Sequence, residues 1–290
     1  AKNCGDGTLD VTARSQNDRI WIVTAAPDNA SPRTYLYDRG SLAGDHIADS
    51  AGGPIGPKIT LLFVSRPALQ GRTLASMQWH EIKSRDGLTL MSYLSLPPGS
   101  DADKNRIPDQ PLPMVLNVHG GPWARDEWGF EPEHQWLANR GYAVLSVNFR
   151  GSTGFGKKFV NASKGEWGGR MHDDLLDAVK WAIDRKIADP AKIAIYGGSY
   201  GGYATLVGLT FTPETFACGV NIVGVSNLTT FMNTIPPYWE PFKTYLYEMV
   251  GNPTTEEGRQ FLLSRSPITK VDQIKRPLLI AQGAMDPRVN

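Results

Sequence analysis

The chain has 290 residues, of which 41% are hydrophobic and 20% are charged, and its formal net charge is +1. This composition is typical of a globular protein, and the small net charge argues against nucleic acid or an anionic membrane as a partner. No part of the sequence reaches the roughly 18 apolar residues that a membrane-spanning helix requires. The two cysteines, Cys4 and Cys218, cannot form a disulfide framework, and we interpret Cys218 as a core thiol.

We expect the sequence to be a fragment of a longer polypeptide. It starts at Ala1 without an initiator methionine or a signal-peptide pattern, and Asn290 follows shortly after a predicted strand. The missing signal peptide therefore carries no information about export. Periplasmic, secreted and cytoplasmic locations all stay open.

The first 78 residues are rich in short segments that predict β-structure. Runs of β-branched and aromatic residues at 20–24, 34–37 and 59–64 are separated by turn-forming residues, and residues 9–13 form a weaker run. Four short strands make about one blade of a β-propeller, which cannot close a ring alone. We therefore expect residues 1–78 to be part of a β-propeller.

Residues 79–290 alternate between strand and helix patterns after a predicted hairpin and a Pro-rich loop. Predicted strands cover residues 114–118, 142–147, 193–196, 219–223 and 278–282. Predicted helices cover residues 133–140, 173–187 and 200–210. This alternation predicts a doubly wound, mostly parallel sheet, in which catalytic residues lie on loops at the carboxyl ends of strands.

The segment Gly-Gly-Ser-Tyr-Gly at residues 197–201 matches the pattern G-x-S-x-G. An apolar strand ends directly before Gly197, and a helix of small residues starts around Gly201, which is the context of a nucleophile elbow. Such a turn would raise the hydroxyl of Ser199 above the sheet at the N-terminus of a helix. The alternative is a glycine-rich turn with an incidental serine. We favour the elbow and, with it, the α/β-hydrolase fold.

The segment His-Gly-Gly-Pro at residues 119–122 follows the predicted strand at 114–118. A backbone N–H in this loop is well placed to complete an oxyanion hole, and we assign that role to Gly121 together with the N–H of Tyr200. The alternative is a turn that uses its two glycines for geometry alone. We expect His119 to orient the loop rather than to act as a base.

Asp286 follows the last predicted strand, where the acid of a catalytic triad is expected, although Asp-Pro is also a common turn starter. In this fold the triad residues occur in the order Ser, Asp, His. All five histidines precede Ser199. We therefore expect the catalytic histidine beyond residue 290, with His172 in a non-standard order as the alternative.

Two further features have both a structural and a functional interpretation. Arg150 follows a predicted strand and either contacts substrate or, as we favour, holds loops together through a buried carboxylate. Phe231, Tyr238 and Trp239 belong to an aromatic cluster that lines a substrate pocket or packs in the core. No metal or organic cofactor is expected.

Four segments together resemble the prolyl-oligopeptidase family of serine peptidases, most of all its acylaminoacyl-peptidase and dipeptidyl-peptidase branches. They cover residues 119–122, 148–156, 197–203 and 283–290. The resemblance implies a hydrolase domain at residues 79–290, preceded by propeller sequence. It also implies cleavage of short peptides by Ser199 through an acyl-serine intermediate, with Asp286 as the acid and with Gly121 and Tyr200 as the oxyanion donors.

Two other functions stay open for the sequence. A carboxylesterase on the same fold would use the same acyl-serine chemistry. A non-catalytic scaffold that kept the hydrolase shape would lack the catalytic histidine, and no histidine follows Asp286 in this sequence. Without that histidine we expect the isolated chain to show little turnover, and its oligomeric state stays open.

Overall fold

The computed structural model describes residues 7–40, 56–235 and 237–289, so Cys4 and Asn290 lie outside the described residues. The chain divides into two compact units. One unit runs to Met77 and includes Trp128–Trp136, and the other comprises Gln78–Glu127 and Leu137 onward. Over the described ranges, no helix is both long enough and apolar enough to cross a bilayer.

The first unit contains a four-stranded antiparallel sheet in the order β1-β2-β3-β4. The strands are β1 (Thr8–Arg14), β2 (Ile20–Ala26), β3 (Arg33–Asp38) and β4 (Lys58–Val64). All four predicted strand runs are confirmed, including the weaker run at residues 9–13. A sheet of this size and order has the form of one propeller blade.

A buried amide ties the segment Trp128–Trp136 into the first unit. The Nε2 of Gln135 donates to the carbonyl oxygens of Asp28 and Ala75 at 2.9 and 2.7 Å. The Oε1 of Gln135 accepts from the N–H of Ala75 at 2.8 Å. These contacts pair residues far apart in sequence, so no local pattern could predict them.

The second unit contains a seven-stranded mixed sheet in the order β11-β10-β9-β7-β8-β6-β5. Its strands are β5 (Met77–Lys83), β6 (Thr89–Ser95), β7 (Leu112–Val118), β8 (Ala143–Val147), β9 (Ala188–Gly198), β10 (Cys218–Ile222) and β11 (Leu278–Ala281). The run from β8 through β7, β9 and β10 to β11 is parallel, whereas β6 pairs with β8 in antiparallel fashion. This is the predicted α/β-hydrolase fold.

Helices connect the strands and complete the core. The α-helices are α1 (Pro132–Ala138), α2 (Lys157–Asn161), α3 (Arg170–Asp184), α4 (Tyr200–Phe211), α5 (Leu228–Asn233), α6 (Lys243–Met249) and α7 (Glu256–Ser264). Short 3₁₀ helices cover Pro67–Leu69, Pro237–Phe242 and Pro267–Gln273. Strand β8 is buried at every position, which explains why four of its five residues are apolar.

Helix α3 ends at Asp184, three residues before the predicted end at Ile187. Lys186 has a positive φ of 60°, a conformation that does not continue a right-handed helix. Ile187 is nevertheless fully buried, so its apolar side chain fills the core from a turn. The hydrophobic pattern therefore identified Ile187 correctly as a core residue, but this residue lies beyond the end of the helix.

Arg150 is held by two carboxylates, as the favoured structural interpretation predicts. Its Nε and Nη2 donate to Asp174 at 2.8 and 2.7 Å, and its Nη1 and Nη2 donate to Asp86 at 2.9 Å. Arg150 is 2% exposed and Asp174 is fully buried. Hydrogen bonds from Arg150 hold the pKa of Asp86 well below its usual range. The arginine thus joins the loop after β8 to α3 and to the β5–β6 turn.

Removal of the buried carboxylate should destabilise the second unit strongly. We expect Asp174→Ala to lower the free energy of unfolding by about 3–5 kcal/mol, because it leaves much of the buried Arg150 charge uncompensated. Urea unfolding of the full-length protein, followed by tryptophan fluorescence, measures the change. The control Asp184→Ala removes the exposed partner of Lys180 and should cost less than about 1 kcal/mol. Equal losses would contradict this account.

Candidate active site

Parallel strands β7, β9, β10 and β11 bring their carboxyl ends to the same edge of the sheet. Val118 of β7 pairs with Gly197 of β9. One position further, Gly198 pairs with Ile222 of β10, which in turn pairs with Ala281 of β11. Neighbouring strands lie about 4.8 Å apart. The segments that follow β7, β9 and β11, which carry the predicted site motifs, therefore leave the sheet in one row.

Ser199 forms the sharp turn between β9 and α4. Its backbone angles are φ 57° and ψ −113°, which L-residues rarely adopt. The turn is held because the N–H of Ser199 donates to the carbonyl of Ile222, and its carbonyl accepts from the N–H of Tyr203, both at 2.9 Å. Ser199 is exposed, whereas the helix that follows it is buried. Strand, strained turn and helix together have the geometry of a nucleophile elbow.

Close backbone contacts explain the glycines that flank the turn. A Cβ added at Gly201 would overlap the carbonyl oxygen of Val118, and one at Gly197 would lie 2.6 Å from the same oxygen. Gly198 is different, because the nearest atom to its added Cβ would be the carbonyl oxygen of Ile222 at 3.8 Å. The outer glycines of the motif are therefore sterically required, and the inner one is not.

The loop after β7 passes beside the elbow. A Cβ built at Gly120 would lie 3.6 Å from the Cβ of Ser199. Gly121 has a φ of +120°, which glycine adopts far more readily than other residues. Tyr200 is the first residue of α4, where a backbone N–H has no partner within the helix. The loop and the helix start thus bring two sets of backbone groups to the neighbourhood of Ser199.

His119 is enclosed within this loop. Its Nδ1 lies 2.7 Å from the carbonyl oxygen of Gly120, and its Nε2 lies 2.9 Å from the Oγ of Ser152. The ring stacks on Phe149, with 4.5 Å between centroids. Burial lowers the pKa of His119 to about 4. Both ring nitrogens are engaged in fixing the loop, which agrees with the expected orienting role.

The side chain of Tyr200 belongs to the core and not to the open site. It is 2% exposed, stacks on Phe149 at 5.1 Å and meets the ring of Trp167 edge-on at 4.7 Å. Burial raises the pKa of the Tyr200 hydroxyl well above its usual value. The hydroxyl therefore keeps its proton at neutral pH, and only the backbone N–H of this residue is a candidate for the site.

Asp286 lies in the loop after β11. Its Oδ1 accepts hydrogen bonds from the N–H groups of Val289 and Arg288 at 3.0 and 2.9 Å, and these bonds lower the pKa of the carboxyl group. Gln282 donates from Nε2 to the carbonyl oxygen of Val289 at 2.6 Å, which closes the same loop. The carboxylate is thus ionised at neutral pH and is held in place by backbone N–H groups of the same loop.

The structure gives no support to His172 as the base. Its Nε2 lies 3.0 Å from the Oγ1 of Thr212, which caps the C-terminal end of α4, whereas Ser199 caps the N-terminal end. A helix of this length separates its two ends by about 18 Å. Burial lowers the pKa to about 4 for all the described histidines, His80, His119, His134 and His172. His46 lies outside the described residues.

Nothing in the described ranges resembles a metal site. Across residues 7–40, 56–235 and 237–289, no group of three or more His, Cys, Asp or Glu side chains has the geometry to hold a metal ion.

An apolar cavity of about 370 Å³ includes Gly121 in its wall. Its aromatic lining consists of Trp123, Trp167, Phe231, Trp239, Phe242 and Tyr245. Of the residues predicted for a pocket, Phe231 and Trp239 line this cavity. Tyr238 does not, and it is 66% exposed. Sequence reasoning missed Trp123 and Trp167 because they come from loops far from the aromatic cluster in sequence.

The steric difference between the glycines of the elbow can be tested by adding a methyl group. We expect Gly201→Ala to destabilise the protein by several kcal/mol, because its Cβ would overlap the carbonyl oxygen of Val118. Gly198→Ala, the matched control, meets only ordinary contacts and should cost about 1 kcal/mol or less. Thermal unfolding of the full-length variants gives the comparison. Comparable stability of the two variants would refute the steric argument.

Two curated relatives align with nearly the whole chain. Dipeptidyl aminopeptidase BIII of Pseudoxanthomonas mexicana is 54% identical over 285 residues, which cover 98% of this chain and 39% of that protein. Dipeptidyl peptidase family member 6 of Caenorhabditis elegans is 45% identical over 298 residues, which cover 98% of this chain and 38% of that protein. The chain thus spans about two-fifths of the length of these relatives.

Solved structures share the fold. A puromycin-hydrolyzing peptidase of Mycobacterium tuberculosis superposes with a TM-score of 0.74 at 26% identity, over 93% of this chain and 38% of that chain. The acylaminoacyl peptidase of Pyrococcus horikoshii has a TM-score of 0.74 at 22% identity, over 99% of this chain and 41% of that chain. At that lower identity, the likeness to the second structure shows the fold alone.

The family model that matches is described as the prolyl oligopeptidase family, and it matches residues 128–290. That range is more than half of the chain. It contains three of the four segments that carry the sequence resemblance, at 148–156, 197–203 and 283–290. With this match and the two curated relatives, the chain belongs to the prolyl oligopeptidase family.

Proposed function

We propose that residues 79–290 form the core of the catalytic domain of a serine peptidase, and that the whole protein hydrolyses short peptides through an acyl-serine intermediate. One observation carries the proposal: Ser199 is exposed at a strained strand-to-helix turn, with a glycine loop beside it. Family membership supports it, and so do the names of the relatives, a dipeptidyl aminopeptidase and a dipeptidyl peptidase family member.

In the proposed reaction, the Oγ of Ser199 attacks the carbonyl carbon of the scissile bond while its proton passes to the catalytic base. The base then protonates the departing amine, and water later hydrolyses the acyl-serine. The negative charge that develops on the carbonyl oxygen is stabilised by the N–H groups of Gly121 and Tyr200. The N-terminus of α4 adds its dipole. Each donor of this kind contributes about 10²–10³-fold to kcat in serine hydrolases. No metal or organic cofactor takes part in the proposal.

The proposed base is an imidazole from a histidine that follows residue 290 in the longer protein. This assignment rests on the residue order of the fold and on the positions of the described histidines. The carboxylate of Asp286 would accept the imidazole N–H, hold the correct tautomer and stabilise the imidazolium that forms. Since both bonds from Val289 and Arg288 fall on Oδ1, we assign the bond with the imidazole to Oδ2.

The same proposal divides the chain into a propeller segment at residues 1–78 and a hydrolase segment at residues 79–290. The four-stranded antiparallel sheet supports the first assignment, and the mixed sheet with its elbow supports the second.

The side chain on the acyl side of the cleaved bond would enter the aromatic cavity, since Gly121 lies both in the oxyanion loop and in the wall of that cavity. We propose a peptide as the substrate, and the family membership and the names of the relatives support this proposal.

Replacement of the nucleophile should abolish catalysis. We expect Ser199→Ala in the full-length protein to lower kcat for peptide anilides by about 10⁶-fold, and to remove labelling by a fluorophosphonate. Ser264→Ala, at an exposed serine of α7, is the matched control and should keep both activities. Retained turnover and labelling in Ser199→Ala would rule out the assignment.

The same assay separates the proposal from its two rivals. Turnover of p-nitrophenyl esters without turnover of peptide anilides would identify a carboxylesterase. Failure of the wild-type full-length protein to react with either substrate or with the fluorophosphonate would identify a non-catalytic scaffold. Turnover of peptide anilides that depends on Ser199 supports the peptidase.

Replacement of the acid by its amide should affect the rate and leave the loop intact. We expect Asp286→Asn to lower kcat by about 10⁴-fold, because an amide cannot hold the imidazole in the correct tautomer. The Oδ1 of asparagine still accepts the loop N–H bonds, so the melting temperature should stay within about 2 °C of the wild-type value. A loss of stability that matches the loss of rate would argue that Asp286 is only structural.

A further inference from the structure

The segment at residues 148–153 follows β8 and lies against the loop at residues 119–126, which follows β7 and contains Gly121. Strands β7 and β8 are parallel neighbours, so the segment and the loop leave the sheet at the same edge. The ion pairs of Arg150 with Asp174 and Asp86 fix the segment to α3 and to the β5–β6 turn. The segment is therefore a rigid support for the loop beside it.

Asn148 binds the far end of this loop through both polar atoms of its amide. Its Oδ1 accepts from the N–H of Asp126 at 2.8 Å, and its Nδ2 donates to the carbonyl oxygen of Asp126 at 3.1 Å. Asn148 is 0% exposed, so no solvent replaces these bonds when they are lost. A further bond runs from the N–H of Thr153 to the carbonyl oxygen of Ala124 at 2.8 Å. The end of the loop is thus tied to the segment at two residues.

Ser152 binds the near end of the loop through His119. The Nδ1 of His119 lies 2.7 Å from the carbonyl oxygen of Gly120, and its Nε2 lies 2.9 Å from the Oγ of Ser152. Burial lowers the pKa of His119 to about 4, so the ring carries one proton at neutral pH. A carbonyl oxygen only accepts hydrogen bonds, which places that proton on Nδ1. Nε2 is then an acceptor, and the hydroxyl of Ser152 donates to it.

A second acceptor near the same hydroxyl does not compete for its proton. The carbonyl oxygen of Phe149 lies 2.8 Å from the Oγ of Ser152, but it also accepts from the N–H of Ser152 at 3.0 Å. This carbonyl is therefore satisfied without the hydroxyl. The proton of the hydroxyl is free for His119, and it holds the ring in the tautomer that binds Gly120.

The bond from His119 sets the direction of the candidate oxyanion donor. The carbonyl of Gly120 and the N–H of Gly121 belong to one planar peptide unit, in which the two groups point in opposite directions. With the carbonyl held by Nδ1, the N–H of Gly121 points away from His119. In the described part of the chain, no backbone carbonyl accepts from this N–H. It is therefore available to a substrate oxygen beside Ser199.

We infer that Asn148 and Ser152 are positioning residues for the proposed oxyanion hole, which fix both ends of the loop 119–126 and so direct the N–H of Gly121. The inference rests on the proposed function, because it assumes that attack by Ser199 creates a negatively charged oxygen beside Gly121. Both positioning residues are 0% exposed. They act without touching substrate, Asn148 through Asp126 and Ser152 through His119.

Loss of this support should affect catalysis more than binding. An oxyanion donor has to lie about 2.7–3.1 Å from the position that the charged oxygen takes. A loop that is free to move lets the N–H of Gly121 leave that position. The carbonyl oxygen of a bound substrate carries much less charge than the transition state, so the loss falls on kcat and leaves KM nearly unchanged.

The test compares Ser152→Ala with Ser163→Ala in the full-length protein. Ser163 is 1% exposed, and its Oγ donates to the carbonyl oxygen of Val160 at 2.7 Å, within its own turn. Each variant loses one buried hydroxyl, but only Ser152→Ala loses a tie to the loop. For peptide anilides we expect Ser152→Ala to lower kcat by about 10–100-fold and to keep KM within about twofold. Ser163→Ala should keep both constants within about twofold of the wild type.

Asn148→Ala tests the other end of the loop. It removes both bonds to Asp126, and we expect kcat to fall by about 10–100-fold with KM again within about twofold. Fluorophosphonate labelling, followed to completion, counts the active sites in each preparation. All values of kcat then refer to folded protein.

A pair of inhibitors separates the loss of an oxyanion donor from general damage to the site. When a peptide aldehyde adds to Ser199, the bond from Oγ to carbon forms, the π bond of the carbonyl breaks onto oxygen, and the serine proton passes to the catalytic base. That oxygen occupies the position of the oxyanion. The corresponding peptide alcohol cannot add. Both alanine variants of the positioning residues should raise Ki of the aldehyde about 10–100-fold and leave Ki of the alcohol within about twofold.

The outcomes distinguish failure of the inference from failure of the proposed function. If Ser199→Ala is inactive but Ser152→Ala and Asn148→Ala keep kcat within about twofold, the positioning role is overturned and the peptidase assignment stands. Equal rises in Ki for the aldehyde and the alcohol, or an equal loss of kcat in Ser163→Ala, also overturn the positioning role, because they indicate general distortion. Turnover that survives Ser199→Ala overturns the proposed function, and the inference with it.

Discussion

A close passage of backbone between the end of β7 and the start of α4 is the constraint on which the site depends. The carbonyl oxygen of Val118 occupies the space that a Cβ of Gly197 or Gly201 would need. This passage, together with the hydrogen bond from Ser199 to Ile222, holds Ser199 in a backbone conformation that costs about 1–3 kcal/mol by itself. The strain persists because relaxing the turn would disturb both the buried sheet and the buried helix.

The groups around the elbow differ sharply in charge. His119 is neutral near neutral pH because burial lowers its pKa to about 4, and Tyr200 keeps its proton because burial raises its pKa. Asp286 is ionised because hydrogen bonds from the N–H groups of Val289 and Arg288 lower its pKa. Of these three side chains, only the carboxylate carries a permanent charge. In the proposed reaction, the transient charge on the substrate oxygen is therefore met by fixed backbone dipoles, which need no reorganisation.

Local sequence patterns predicted the strands of the two described sheets, three of the seven described α-helices and the elbow. The strand before the elbow, the glycines around Ser199 and the buried pairing of Arg150 all follow from residue types within a few positions, or from the cost of an unpaired buried charge. The cavity could be predicted only in part, because Trp123 reaches it from another loop. Tyr238 is aromatic like its neighbours, but its side chain does not line the cavity. The direction of a side chain within a short 3₁₀ helix cannot be predicted from hydrophobicity.

The excursion between β10 and β11, residues 223–277, contributes Phe231, Trp239 and Tyr245 to the cavity, whereas the elbow and the glycine loop follow β9 and β7. Strands β10 and β11, which flank this segment, pair with each other in parallel and so fix both of its ends. Most of the aromatic lining of the cavity and the turn that holds Ser199 therefore come from different segments of the chain. In the proposed peptidase, side-chain preference and bond cleavage would thus depend on separate segments.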